Sequence, residues 1–338
     1  MTSSPGSLPN ILNSPSRMRS SRTNLFLILI LILFEHAHGF HFVVTGGTGR
    51  VGQRVVEKLL LENPSDSVTV LTTNPNATSI LAPNPKLTIK PYDSNSLIEC
   101  QPCTLIHCSN DVDLLPEFTA TFPKTKPRWF RRSSSSPSPS IVLLSSAGVT
   151  RPSWSKKKAQ RLSGAADIPI VRLNPGDILN TKFKAEERLR KSGVTYSIVR
   201  PVGLKDTWPS GRPILSQSDT AVGRVNLEDL ASVLIASASA PDAAYKTFEV
   251  QSLTGYPPPN DLTKPLRGLV KDGRRPRDEG YQLLQQLLPG EEQDATKLEM
   301  GRSYEEVDSG KVKAREAGAE PTEREKAMAR SVEQRAPQ

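Results

Sequence analysis

Residues 40–52 read FHFVVTGGTGRVG, and this stretch decides the fold. A short apolar run (Phe42, Val43, Val44) ends in Thr45, three glycines follow at a spacing of three (Gly46, Gly49, Gly52), and Val55, Val56, Leu59 and Leu60 then recur at helical period. Strand, tight turn and helix N-terminus are implied in that order. The turn leaves unpaired backbone N–H groups and the positive end of a helix dipole aimed at one point, which suits a pyrophosphate. The first glycine permits the turn, the second lets a phosphate approach the backbone, and the third allows the helix to pack close to the strand. Thr48, Arg50 and Val51 lie within the same cradle. A dinucleotide-binding, doubly wound parallel sheet is therefore expected.

The rest of the chain is read outward from that unit. Its 338 residues carry a formal net charge of +9, 29 prolines and 5% aromatic residues, with mean hydropathy -0.40. One globular α/β body with polar, proline-rich additions fits these values. The basic residues fall mostly in islands at 124–132 and 151–161 with no interleaved aromatic platform and no nucleic-acid motif, which argues for solvated loops and against nucleic acid as a partner. Cys100 and Cys103 form a Cys-x-x-Cys pair with Cys108 nearby. No second pair exists to complete a zinc site, while a redox disulfide between Cys100 and Cys103 stays open beside the alternative of three free thiols.

Ahead of the glycine turn, Arg17, Arg19 and Arg22 precede an apolar run at 25–34 and the small-residue junction Ala37-His38-Gly39. This is the pattern of a signal peptide cut after Gly39, with no transmembrane span left after cleavage. The junction followed by Phe40 resembles the one that directs proteins into the complex plastids of diatoms and related algae, although the first strand begins at once and leaves no room for a transit peptide. Asn76-Ala77-Thr78 would be a glycosylation acceptor in the ER lumen or outside the cell. Plastid residence is the expectation, ER or secretion the alternative.

Downstream, strands are expected at 67–71, 87–90, 104–108, 141–144, 195–199 and 247–250, and helices at 178–191, stopped by Gly193, and 226–237. The second strand ends in Thr72, Thr73 and Asn74, so no carboxylate awaits a ribose. Arg50 is the nearby cation for a 2′-phosphate, and NADP(H) is expected over NAD(H). Asp93, beside Ser94, has two readings of equal weight: acceptor for the adenine amino group, or helix N-cap. The fourth and fifth strands should end beside the cofactor at Cys108 and Ser145. Between them, the insertion 116–140 is rich in proline and serine with no helical period, so where a crossover helix belongs either the cover is irregular or part of the helix is missing from this sequence. An extension follows at 253–300 with an amphipathic stretch at 281–288, and the charged tail 301–338 has nothing to bury and is expected to be disordered.

With TGGTGRVG, YDS, VLLSSAGVTRP, LNPGDILNTKFKAEERLRKSGVTYSIVRPVGL and VNLEDLASVLIASASAPDAAYKTFEV in hand, the chain resembles the atypical short-chain dehydrogenase/reductases, especially NmrA-like and plastid-type NAD(P)-binding proteins. The motifs occur in the family's order across about 41–252. The resemblance implies a Rossmann-like domain at 40–252 and a reducing site made of a serine, a tyrosine and a lysine four residues later. The serine falls on Ser146 and the lysine on Lys182, the lysine also holding the nicotinamide ribose; Pro201 and Val202 would border the nicotinamide. The tyrosine position falls on Ile178, which can neither give nor accept a proton. Two functions follow: an NADPH-dependent oxidoreductase in which water or a substrate group replaces the tyrosine, or a non-catalytic dinucleotide sensor or assembly protein with partners bound through its tail.

Overall fold

The computed structural model describes residues 40–62, 65–124, 138–166 and 168–274. The expected targeting segment 1–39, most of the basic and serine-rich part of the insertion, the amphipathic stretch 281–288 and the tail lie outside the described residues.

The chain runs β1 (His41–Thr45), α1 (Arg50–Glu62), β2 (Ser67–Thr72), α2 (Ala77–Ile80), β3 (Leu87–Pro91), α3 (Ser94–Ile98), β4 (Thr104–His107), α4 (Leu115–Thr121) and β5 (Ile141–Leu144). It continues through α5 (Lys156–Arg161), α6 (Ser163–Ala166), α7 (Pro169–Leu173), α8 (Ile178–Lys191), β6 (Tyr196–Pro201), β7 (Gly203–Leu204) and β8 (Arg212–Ser216). The last elements are β9 (Arg224–Val225), α9 (Leu227–Ser239), β10 (Lys246–Leu253) and α10 (Thr263–Gly268). Eight strands form one sheet in the order β3-β2-β1-β4-β5-β6-β10-β8. All its pairings are parallel except β10 with β8. The order reverses between β1 and β4, and in such sheets ligands bind at that crevice, outside the carboxyl ends of the strands.

Parallel strands need cover on both faces, which is why β1, β4 and β5 read as nearly unbroken apolar runs. Phe42 and Val44 of β1 pack with Val55, Val56 and Leu59 of α1 and with Leu230 and Leu234 of α9. Val43 points the other way, into a second core with Leu105, Phe118 of α4 and Leu189 of α8. Each fully buried side chain of this size stabilises the fold by about 1.5–3 kcal/mol. Asn226 starts α9 by accepting the Glu228 N–H at 2.8 Å, and Gly193, at φ +82°, ends α8 in the left-handed conformation that suits glycine.

The structure corrects the reading of 116–140 as devoid of helix. Residues Leu115–Thr121 form α4, with Pro116 in its first turn. Leu115, Phe118 and Phe122 are buried against the sheet, spaced three and four apart, so a short helix does cover β4. The last strand is longer than expected, Lys246–Leu253, because it pairs with β6 on one side and with β8 on the other. Sequence reading missed β8 itself. Its Pro213 is tolerated because β8 is the edge of the sheet, where a missing N–H need not break a ladder. Among the described residues, no helix is long and apolar enough to cross a membrane.

Candidate functional site

The phosphate cradle follows from the backbone demands of three glycines. Gly46 sits at φ +67°, and a side chain there would meet the Ser109 backbone nitrogen at 2.8 Å. At Gly52 a Cβ would come within 2.1 Å of the Gly46 carbonyl oxygen, so this glycine lets the first turn of α1 close onto the loop. Gly49 is different: the only close neighbour of a Cβ there is the Gly46 oxygen, at 3.2 Å, and the residue is exposed. Its N–H donates to the Gly46 carbonyl at 2.9 Å. The first-turn N–H groups of α1, around Arg50 and Val51, have no intrahelical acceptors, as an anion site requires.

The Arg50 guanidinium forms an ion pair with Asp206, in the loop after β7. At β2 the backbone turns on itself: Thr72 Oγ1 accepts the Asn74 N–H at 3.0 Å and Asn74 Oδ1 accepts that of Asn76 at 2.9 Å. Asp93 takes the capping role of its two readings, accepting the Ser96 N–H at 2.7 Å to start α3, whose first residue is Ser94.

The carboxyl ends of β4, β5 and β6 bring together the other expected residues. The His107 ring is fully buried between Thr45 Oγ1, 2.8 Å from Nδ1, and the Asp111 carbonyl, 3.0 Å from Nε2. A carbonyl can only accept, so Nε2 carries the proton and Nδ1 accepts from Thr45. Burial first, and the nearby Lys182 charge second, push His107 down to about 4; it stays neutral and braces β4 against β1. Burial also pushes the Cys108 thiol up to about 12 against the pull of Lys182, so it is no thiolate. The Cys103 thiol is likewise raised to about 12, by burial and by Cys100. All three cysteines are free, and the Cys100–Cys103 disulfide left open by the sequence is not formed.

Lys182 is 8% exposed, and its Nζ donates to the Leu144 carbonyl, the last of β5, at 3.4 Å. Burial lowers its proton affinity below the ordinary lysine range, opposed by Cys108 and Glu186. One turn further along α8, Glu186 accepts from Ser145 Oγ and from both arms of the Arg200 fork, at 2.9 and 2.6 Å. Burial alone would raise the Glu186 carboxyl, yet Arg200 and Arg190 bring it below the ordinary range. Ser145 is thus tied into a structural ion pair. Ser146 turns its hydroxyl to the Ala147 carbonyl at 2.9 Å. Ile178 stands at the start of α8, four residues before Lys182 and hence on the same helix face. Pro201 and Val202 close β6, both buried, with the Val202 N–H donating to Val250 at 3.1 Å.

One part of the site was not foreseen. The loop after β5 is held by Asp219, whose carboxylate accepts the N–H groups of Gly148 and Thr150 and the Thr150 hydroxyl, at 2.6, 2.8 and 2.6 Å. Arg151, buried, reaches back to the carbonyls of Asp219, Ala165 and Ala221 at 2.7–2.8 Å. This clamp fixes 148–151 beside the end of β5. Its only sequence signal is a lone Asp between Ser218 and Thr220, about seventy residues from its partners. Among the described residues, no group of His, Cys, Asp and Glu is placed to hold a metal ion.

Residues 139–241 match a protein-family model described as NAD(P)H-binding. A chloroplastic protein of Arabidopsis thaliana, itself described as uncharacterized, is 33% identical over 76 residues. That match covers 22% of this chain, and the chain spans only 27% of the length of that relative. Among solved structures, an oxidoreductase from Lactococcus lactis is 13% identical, with 64% of this chain and 92% of that chain covered and a TM-score of 0.46. A short-chain dehydrogenase/reductase from Veillonella parvula, in complex with NADP, is 14% identical, with 63% and 94% covered and a TM-score of 0.47.

Proposed function

We propose that this chain, which carries an NAD(P)H-binding Rossmann-like domain, is an NADPH-dependent oxidoreductase. The observation that carries the reading is Lys182, a buried ammonium held on the Leu144 carbonyl at the carboxyl edge of the sheet. A lysine is seldom buried without an ion-pair partner unless the site uses it. The residues present suit a dinucleotide: open backbone at Gly49, free N–H groups at the start of α1, and a donor at Lys182 for ribose hydroxyls. The bound, reduced cofactor would supply a hydride to an electrophilic carbon or quinone. The chain's own part is to orient it, with Pro201 and Val202 excluding water from one side and Lys182 holding positive charge where an oxyanion would form. Ile178 has no proton to give, so the proton comes from water or from the acceptor itself. The absence of a carboxylate at Thr72–Asn74 supports NADP(H) over NAD(H), since nothing there repels a 2′-phosphate.

Ile178 also favours a second reading, in which the domain binds the dinucleotide without turnover and signals its presence to a protein partner, with the tail as the contact. Titration with NADPH, followed by assay of its consumption with quinone and aldehyde acceptors, separates the two. Consumption supports the oxidoreductase; tight binding with every acceptor inert supports the sensor; no binding overturns both.

We infer plastid residence from the Ala37-His38-Gly39-Phe40 junction, in keeping with the chloroplastic description of the Arabidopsis relative. A fluorescent fusion of the first sixty or so residues confined to the ER or the medium would overturn it.

A further inference from the structure

The ion pair between Arg50 and Asp206 joins the two walls of the crevice. Arg50 is the residue after Gly49, in the phosphate turn; Asp206 follows β7, on the loop that leaves the end of β6. Both side chains are open to solvent, 61% and 56% exposed, so no packing demand holds them together. The loop bearing Asp206 is nonetheless fixed. The Trp208 N–H donates to the Lys205 carbonyl at 3.1 Å, Asn226 at the start of α9 donates to the Trp208 carbonyl, and the Gly211 N–H donates to Asp229 at 3.0 Å. The carboxylate is therefore presented to Arg50 from a braced loop.

The direction of Arg50 is informative. One turn on, Arg54 pairs with Glu228 of α9 at 3.3 Å, so this flank of α1 faces α9. The sheet order sets β2 on one side of β1 and β4, β5 and β6 on the other. Asp206 follows β6 and β7, so the ion pair links Arg50 to the β6 side of the sheet order, the side opposite β2.

Resting on the dinucleotide reading above, we propose that Asp206 is an internal competitor for Arg50: its carboxylate occupies the guanidinium until a pyrophosphate oxygen replaces it, so that Asp206 sets how tightly the site holds its cofactor. A guanidinium prefers a planar, bidentate anion, and phosphate offers that geometry with delocalised charge. The exchange trades one charge pair for another at the same group. Asp206 thereby acts as a positioning and affinity-setting residue and not as a catalytic one.

The test is a thermodynamic cycle in NADPH and NADH affinity at low ionic strength, where exposed pairs are least screened. Asp206→Asn is expected to tighten both cofactors roughly two- to fivefold, the range an exposed ion pair commands. Arg50→Gln weakens both, and adding Asp206→Asn to Arg50→Gln changes nothing further. Because both residues are exposed, unchanged melting temperatures serve as the folding control. Tightening of NADPH alone would overturn the pyrophosphate assignment, and an Asp206→Asn affinity equal to wild type, or tightening that persists without Arg50, would overturn the competition itself. Failure of the wild-type protein to bind either cofactor would instead remove the dinucleotide reading, and this inference with it.

Discussion

The Nζ of Lys182 lies 3.4 Å from the carbonyl oxygen of Leu144, so the buried charge on α8 is anchored to the end of the strand next to the crevice. A single carbonyl is thin compensation for a buried ammonium, and Glu186, one turn away, is already committed to Arg200 and Ser145. Lys182→Met keeps the length and removes the charge. Little loss of fold stability is expected, because an incompletely paired charge leaves with the side chain. Dinucleotide affinity should fall about tenfold or more, the worth of one charge-assisted hydrogen bond. Calorimetric titration beside a melting curve measures both; an unchanged affinity would remove Lys182 from the site.

Gly49 and Gly52 should respond differently to the same substitution. A Cβ at Gly49 meets only the Gly46 oxygen, at 3.2 Å, whereas at Gly52 it meets that oxygen at 2.1 Å and the Gly47 Cα at 2.8 Å. Gly49→Val is expected to leave the domain folded and abolish dinucleotide binding, because the branch fills the phosphate's approach. Gly52→Val forces α1 away from β1 and should lower the melting temperature markedly. Titration of a folded Gly49→Val protein that still binds at wild-type strength would count against the cradle.

Ile178 and Lys182 are four residues apart on α8 and share a face. If only the proton donor is missing, Ile178→Tyr supplies a hydroxyl one turn from the lysine that lowers its pKa. An increase of about tenfold or more in NADPH consumption with a quinone or aldehyde acceptor is expected, with affinity for NADPH little changed. No gain with any acceptor would favour the binding-only reading.

The strand, turn and helix at residues 41–62 were legible in the sequence because each carries its own local signal: an apolar run, glycines at a fixed spacing, a helical period. The span of α8 was legible for the same reason, with Gly193 marking its end. What stayed hidden depends on partners far along the chain. Strand β8 exists because Val250 and Ser252 pair with Leu215 and Pro213, and its own five residues, one of them proline, carry no alternation to announce it. Helix α4 is barely two turns long, too short for its Leu115, Phe118, Phe122 spacing to stand out from the prolines around it. The Asp219 clamp joins positions 68–71 apart, and no local periodicity encodes such a contact. In the same way, His107 reads as one more residue of a buried strand until Thr45 is seen beside it.

Glu249 gives the protein a pH dependence of stability whose sign runs against the usual carboxylate. It is 1% exposed; Oε2 accepts from Thr220 N–H at 3.3 Å and Ser216 Oγ at 3.4 Å, while Oε1 is buried with no partner among the described residues. Burial first, then the Asp219 carboxylate, push it up to about 7 against the pull of Arg200 and Arg151. The folded state thus holds this proton more tightly than the unfolded chain, where a glutamate titrates near about 4.3. The stability linked to it is full below the unfolded value, falls as pH rises from about 4.3 to about 7, and is absent above. The whole gap corresponds to about 4 kcal/mol, of which roughly 3 kcal/mol is lost between pH 4.5 and pH 8. Glu249→Gln is neutral throughout and escapes that loss. Urea denaturation of both proteins at pH 4.5 and pH 8 should therefore show the variant gaining roughly 3 kcal/mol on the wild type between the two conditions. Taking the difference between the two proteins cancels the titration of every other group. A difference that stays flat across this range would mean that Glu249 is ionised in the folded protein and that its orphaned oxygen finds a donor in solution.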